Sequence, residues 1–456
     1  ATAIHAGKGN YYGKGHIDQI NYVFLSEFIR TESFYTPVEA GNSAPWLLKG
    51  LYTKEKRIGQ SVAAAYVASF SGVDSKDSFA SCVSFALALL SMLVFVLGRT
   101  LALPYGLSIV AAIWAALSPA MTKIGLEGFF SQVESIFVYS FILVWAASAV
   151  RLSARHVALP AIALSFQFVT YTESFLVSVV LFVYAVVYLI FRLGRGAALA
   201  GAVSLTVSLL LVPAYLFHAS SFITDQYTVA AAASNRLEAL AGDAGTLVAW
   251  SRSLIVFPLL PANVAYSLSI LSAIGMIILC CAALMTSSMR RRGLIALAVA
   301  APWLFLSYLL ASPSFLRYPF WKLIDSFSFL WIILILLGLA RSALAVRWLP
   351  RQTALATVTG IGALFSLLAA ASCIGQHRNA MLRPGILAIL NSPAFVSAID
   401  FADRHPERTY FIREFDGGIA AWLSYHARKS TTYANVPGLS DIPLAAGQFQ
   451  FQKEVP

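Results

Sequence analysis

The chain has 456 residues, 59% of them hydrophobic and 12% charged, with a mean hydropathy of +0.74 and a formal net charge of +11. So apolar a chain is not a soluble globule of ordinary composition; it is a polytopic membrane protein. Nor is the charge a nucleic-acid surface: of 32 Lys and Arg, eleven arginines lie without any acidic residue in five short segments between apolar runs, and the other 21 are matched by 21 Asp and Glu. These are Arg99; Arg151 and Arg155; Arg192 and Arg195; Arg290, Arg291 and Arg292; and Arg341, Arg347 and Arg351. Short basic connections recurring between spans mark the cytoplasmic side, so every acidic residue is expected outside or in the outer leaflet.

In chain order, residues 1–78 form a polar segment on the outer side. Within it Ile20, Tyr22, Val23, Phe24 and Phe28 recur at helical spacing. They predict an amphipathic helix over 19–31 lying at the membrane interface. A second helix, over about 60–70, is too short to span and is expected to pack on the membrane surface. Ten apolar spans follow, at roughly 80–97, 106–121, 132–150, 157–170, 175–191, 197–217, 266–287, 294–312, 327–344 and 353–374. A single helix over 156–191 would run about 54 Å through a core about 30 Å thick, so that stretch must turn back. Its turn falls at the polar cluster Tyr171, Thr172, Glu173 and Ser174, on the outer face. An outward first segment implies a cleaved signal peptide or a first helix ahead of Ala1; a missing helix, an eleventh span, is the reading adopted.

The spans are interrupted by one long outer loop, 218–265, and followed by an outer tail, 375–456. In the tail a helix is expected at Pro393–Arg404, then a strand through Tyr410, Phe411, Ile412 and Phe415, a turn at Asp416, Gly417 and Gly418, and a helix through Ala421, Trp422 and Tyr425. The fold class is therefore an all-α polytopic membrane protein with a small α/β periplasmic C-terminal domain. Three domains are expected: 1–78, 79–374 and 375–456. The four cysteines, Cys82, Cys280, Cys281 and Cys373, fall in or at the ends of spans and offer neither a disulfide framework nor a zinc spacing.

The orientation gathers ionisable residues where the spans meet the outside: His16 with Asp18, Glu127 with Glu134, Glu173, Asp225, and Arg317 with Lys322 and Asp325. Ionisable groups at membrane depth are costly and face a cavity or a partner. A cleft with both carboxylates and cations at the lipid–water boundary suits an amphiphile with an anionic head. Asp18, beside His16 and ahead of a helix, has the chemistry of a general base for a hydroxyl; it has equally the chemistry of an N-cap. A divalent cation held by His16 and Asp18 is open on the same residues. Arg317 and Lys322, in an outer segment with Tyr318, Phe320 and Trp321, suit a lipid phosphate and its chain, or else an aromatic belt with snorkelling cations. Glu127 and Glu173 at helix ends suit sugar hydroxyls, or capping.

Five short stretches carry a resemblance. GHIDQINY (15–22) is similar to the first-loop acidic motif of the fold-C (GT-C) membrane glycosyltransferases, and RIGQ (57–60) to the entry of their second interfacial helix. GFFSQ (128–132), YTES (171–174) and YPFWK (318–322) resemble stretches of bacterial members. The resemblance covers roughly 10–345. It implies a polyprenyl-phosphate-linked sugar donor entering from the membrane lipids, and transfer to a periplasmic glycan, lipid or protein acceptor. Asp18 would be the catalytic base, Arg317 and Lys322 would meet the donor phosphate, and His16, Glu127 and Glu173 would bind sugar or acceptor. Inversion by direct displacement would then need only a base and a stabilised phosphate leaving group. The arginine-only inner loops and the lack of sequons favour a bacterial inner membrane, and the resemblance implies an active face in the periplasm. A transporter or flippase of lipid-linked saccharide, and a non-catalytic subunit of an envelope complex, are the competing readings.

Overall fold

The structure, a computed structural model, describes residues 17–31, 58–127, 130–213, 246–255, 262–286, 325–346, 350–382, 393–407, 409–413 and 431–435. Two short helices come first, α1 (Ile17–Thr31) and α2 (Gly59–Ser71). Then follow α3 (Ser75–Thr100), α4 (Tyr105–Leu117), α5 (Pro119–Glu127), α6 (Phe130–Ser148), α7 (Arg155–Thr170), α8 (Thr172–Leu193) and α9 (Gly196–Leu210). The later helices are α10 (Thr246–Leu254), α11 (Ala262–Thr286), α12 (Ser328–Ala345), α13 (Arg351–Leu382) and α14 (Pro393–Arg404), ahead of strands β1 (Thr409–Arg413) and β2 (Thr431–Asn435). Among the described residues six helices are long and apolar enough to cross a membrane, and seven if the bent pair α4 and α5 is one span. The protein is a multi-pass membrane protein. Nine of the ten expected spans coincide with described helices; the span at 294–312 lies outside the described residues.

Two of those nine are short. α7, with Pro160 inside it, and α9 have 16 and 15 residues, below the roughly 20 of an untilted span. The expected span at 106–121 is broken instead of continuous. α4 stops at Leu117 and α5 restarts at Pro119 at 46° to it, because a residue before proline is pushed out of helical conformation and Ser118 is extended.

The chain divides into two compact units. One contains 85–124 and 131–376 and is the helical bundle. At its centre α12 is buried on every side from Ser328 to Gly338, an all-round burial that explains its uninterrupted apolar sequence. α11 lies against it so closely that a Cβ built at Gly338 would overlap the Leu279 carbonyl, and α13 closes on α4 and α12 at Gly362, beside Val110 and Leu336. α7 and α9 pair through small residues. On α9 Ala197, Gly201, Ser204 and Ser208 are the buried ones; Ser204 Oγ donates to the Val157 carbonyl (3.1 Å), and Ser165 Oγ of α7 donates back to the Ser208 carbonyl (2.8 Å). Close backbone approach with interhelical hydroxyl bonds is how helices associate where lipid removes the hydrophobic drive.

The other unit contains 1–84, 125–130 and 377–456. Here α1 departs from expectation. Every residue from Tyr22 to Phe28 is buried, Glu27 included, so this helix is enclosed by protein instead of lying half exposed at an interface. α2 supplies part of the cover, laying Ser61, Ala64, Ala65 and Ala68 inward. Ser61 Oγ donates to the Tyr22 carbonyl (3.2 Å), which also accepts from Ser26 Oγ (2.6 Å). The opposite stripe of α2, at Val62, Tyr66 and Phe70, stays open: Tyr66 is 71% and Phe70 85% exposed. In the same unit β1 and β2 pair in parallel, from Thr409 opposite Thr431 to Arg413 opposite Asn435. α14 and β1 occur where the sequence puts them. The expected helix through Ala421, Trp422 and Tyr425 lies outside the described residues.

Candidate functional site

Within the bundle, one end carries a layer of buried polar side chains. Near the start of α6, Gln132 Nε2 donates to Ser326 Oγ, just ahead of α12 (3.3 Å), and Tyr139 stacks flat on Phe327 with ring centroids 5.1 Å apart. Gln132 and Tyr139 are seven residues apart and share that face of α6. On the flank, Ser135 Oγ accepts from Gln167 Nε2 of α7 (2.9 Å), and the same nitrogen donates to the Tyr171 carbonyl at the turn into α8 (3.2 Å). Lys123 of α5 reaches Asp325, Nζ to Oδ2 3.6 Å. Glu134 is buried, and among the described residues its Oε2 has no hydrogen-bond partner, nor has Gln167 Oε1. Buried acceptors left unmade cost about 1–3 kcal/mol each, so such a layer is expensive unless it serves a ligand.

The arginines mark the other end of the same helices. α6 runs from Gln132 towards Arg151, α7 from Arg155 towards Gln167, and α12 from Ser328 to Arg341. There Arg192 donates to the Ala147 carbonyl (3.1 Å), and Arg99 to the Leu103 carbonyl (2.8 Å). Ionisable and amide groups at one end, arginines on carbonyls at the other, give the bundle a polar axis. α10 belongs to the first end as well: Trp114 Nε1 donates to the Leu254 carbonyl (3.0 Å), and Trp250 meets Trp331 edge-on at 5.5 Å.

In the other unit the helix start that bears Asp18 is fixed by aromatic packing. Tyr22, one turn on from Asp18, stacks on Phe79 at 6.0 Å, and Phe79 meets Phe130 edge-on at 5.8 Å. Phe130 follows Glu127 by three residues, so this stack sits between the backbone that carries Asp18 and the corner that carries Glu127. Asn21, one turn from Asp18 on the same face, has a buried Oδ1 without a hydrogen-bond partner.

α1 begins at Ile17, so Asp18 is inside the first turn rather than ahead of the helix. Glu127 closes α5 and Glu173 is the second residue of α8. The side chains of Asp18, Glu127 and Glu173 lie outside the described residues, as do His16, Asp225, Arg317 and Lys322 entirely. Of the charged residues anticipated at the outer level, Asp325 and Glu134 are seen in the polar layer; Asp325 is met by Lys123, which sequence reasoning passed over. Gln132 and Gln167 were missed for the same reason: neutral amides inside apolar runs carry no charge signal. The available clue was a Gln one turn from the YTES turn. Among the described residues no group of three or more His, Cys, Asp or Glu is arranged to hold a metal ion, and His16 lies outside them.

No family model matches the chain, and no curated protein matches it. Among solved structures it superposes on ArnT from Cupriavidus metallidurans, crystallised with undecaprenyl phosphate bound, with a TM-score of 0.51 over 94% of this chain and 83% of that one, at 15% identity. The chain has the GT-C fold. At that identity the likeness is one of fold. The match covers residues of both units described above. Within the GT-C fold of this chain, the polar layer and the helix that carries Asp18 are defined by its own hydrogen bonds and ring contacts.

Proposed function

We propose that the protein is an integral-membrane glycosyltransferase that takes a sugar from a polyprenyl-phosphate donor and transfers it to a glycan, lipid or protein acceptor on the periplasmic side of a bacterial inner membrane. The observation that carries this reading is the GT-C fold, shared with a structure that holds undecaprenyl phosphate. The polar layer adds physical support, since buried amide and carboxyl groups at one end of a membrane bundle suit a hydroxyl-rich ligand delivered from the bilayer.

In this mechanism Asp18 takes the proton from an acceptor hydroxyl as its oxygen attacks the anomeric carbon of the donor sugar. The bond from that carbon to the phosphate oxygen breaks, and polyprenyl phosphate leaves with both bonding electrons. Attack opposite the leaving group inverts the anomeric centre. Arg317 and Lys322 hold the phosphate and stabilise its growing charge. His16, Glu127 and Glu173 hold sugar or acceptor. Alternating access by a flippase would favour an inverted pattern of broken helices. Among the described residues α4 and α5 are a single bent pair without a counterpart, which favours the enzyme.

The test is transfer by the purified chain in detergent from a panel of polyprenyl-phosphate sugars, with Asp18→Asn alongside. Release of polyprenyl phosphate by the wild type, reduced at least about 10²-fold in the variant with unchanged folding, is expected of a lost general base. Full activity in Asp18→Asn removes Asp18 from that role, and no turnover of any donor by the wild type removes the enzyme reading.

A further inference from the structure

Gln167 is fully buried near the end of α7, and its amide nitrogen is held by two acceptors. Nε2 donates to Ser135 Oγ (2.9 Å) and to the Tyr171 carbonyl (3.2 Å). Both partners lie on the nitrogen side, and the backbone carbonyl can only accept. Rotating the amide by a half-turn would set two carbonyl oxygens against each other, so the orientation is determined by the network. Its consequence is that Oε1 is presented as an acceptor, and no donor among the described residues meets it. A low-dielectric interior makes an unmet acceptor expensive.

What could meet it is restricted by chemistry. Oε1 needs a donor. The ionised phosphodiester that joins sugar to polyprenol has none, and a polyprenyl chain has none. Of the parts of a lipid-linked sugar, only the sugar carries hydroxyls that donate. Gln167 also braces the Tyr171 turn, two residues ahead of Glu173, so the acceptor is built into the segment that the sequence marked for sugar contact. We propose that Gln167 Oε1 accepts a hydrogen bond from a hydroxyl of the lipid-linked sugar, with Ser135 and the Tyr171 carbonyl orienting the amide. This rests on the glycosyltransferase reading for the class of ligand, and it makes Gln167 a residue that discriminates the glycosyl group rather than the phosphate or the lipid.

The experiment measures binding of four probes to the full chain in detergent: undecaprenyl phosphate alone, and undecaprenyl phosphate linked to glucose, galactose or mannose. The wild type is expected to bind at least one sugar-linked lipid more tightly than the bare phosphate. Gln167→Met, of similar volume and without an acceptor amide, is expected to lose about tenfold of that preference, the worth of one hydrogen bond, while its affinity for the bare phosphate is unchanged. Ser135→Ala, which frees the amide, is expected to show the same selective loss to a smaller degree. It keeps the question decidable if Gln167→Met does not fold. A merely structural role, or a buried water at Oε1, lowers both affinities together or neither, and either result overturns the proposal. So does a wild type that binds no sugar-linked lipid better than the bare phosphate. Sugar-selective binding that depends on Gln167 but releases no undecaprenyl phosphate supports the contact and removes only the catalytic reading.

Discussion

A carboxyl oxygen without a partner inside a membrane helix sets stability against function. Glu134 Oε2 is in that position on α6. Replacing a buried unmet polar group by an apolar one of similar size removes its desolvation cost, so Glu134→Leu is expected to stabilise the protein by about 1–2 kcal/mol. If Glu134 contributes to the ligand layer, the same change lowers transfer. Thermal unfolding and turnover measured on one preparation test both signs, and a variant that is less stable than the wild type overturns the argument. Gly338 is the contrasting case, where the missing side chain is itself the contact. A methyl there overlaps the Leu279 carbonyl, whereas one at Gly275 on α11 meets nothing. Gly338→Ala should cost about 1–3 kcal/mol by overpacking, and Gly275→Ala should stay within about 0.5 kcal/mol of the wild type. Equal melting temperatures for the two variants would show that α11 and α12 do not approach as described.

At the scale of elements, the α7 and α9 pair tests where membrane helix association resides. Its two interhelical serine bonds are worth on average about 0.6 kcal/mol each in a bilayer protein, so Ser204→Ala should be mild. On the neighbouring side of α9, Gly201 packs directly on Val186 of α8, and Gly201→Leu should separate α9 from α8 and lower the yield of folded protein severalfold, read by size-exclusion chromatography in detergent. The same elements show what a sequence can and cannot announce. α14 and β1 were legible because a helical apolar spacing and an aromatic run are local patterns. β2, TTYAN, is mostly polar, and its parallel partner is reached only through a crossover of about a dozen residues or more, which no local pattern marks. The break between α4 and α5 was written in Pro119 but masked by apolar residues on both sides. Enclosure of α1 was illegible, since an amphipathic pattern states that one face is apolar and says nothing about what covers the other. In the site, charge was legible and geometry was not: Asp325 and Glu134 stood out, while Gln132 and Gln167 surfaced only through their bonds to Ser326 and Ser135.

The whole molecule has one orientation, and every functional statement depends on it. Three links, Lys123 to Asp325, Gln132 to Ser326 and Gln167 to Ser135, join helix ends of the bundle that all lie opposite the connections bearing Arg151, Arg155, Arg192, Arg195 and Arg341. Side-chain contacts within 3.6 Å make the polar ends a single side, so a sidedness established at one connection holds for the layer as a whole. By the positive-inside rule, the side with the excess of arginine is the one expected in the cytoplasm. After replacement of Cys82, Cys280, Cys281 and Cys373, a cysteine at Ser153, between α6 and α7, should resist a membrane-impermeant maleimide in intact spheroplasts and react once the membrane is opened. A cysteine at Pro406, after α14, should react in both. Arginine loops count only for orientation, but the links turn that count into a statement about the site: labelling of Ser153→Cys from outside would put the polar layer, Gln167 with it, on the cytoplasmic side, and a periplasmic acceptor could not reach a sugar bound there.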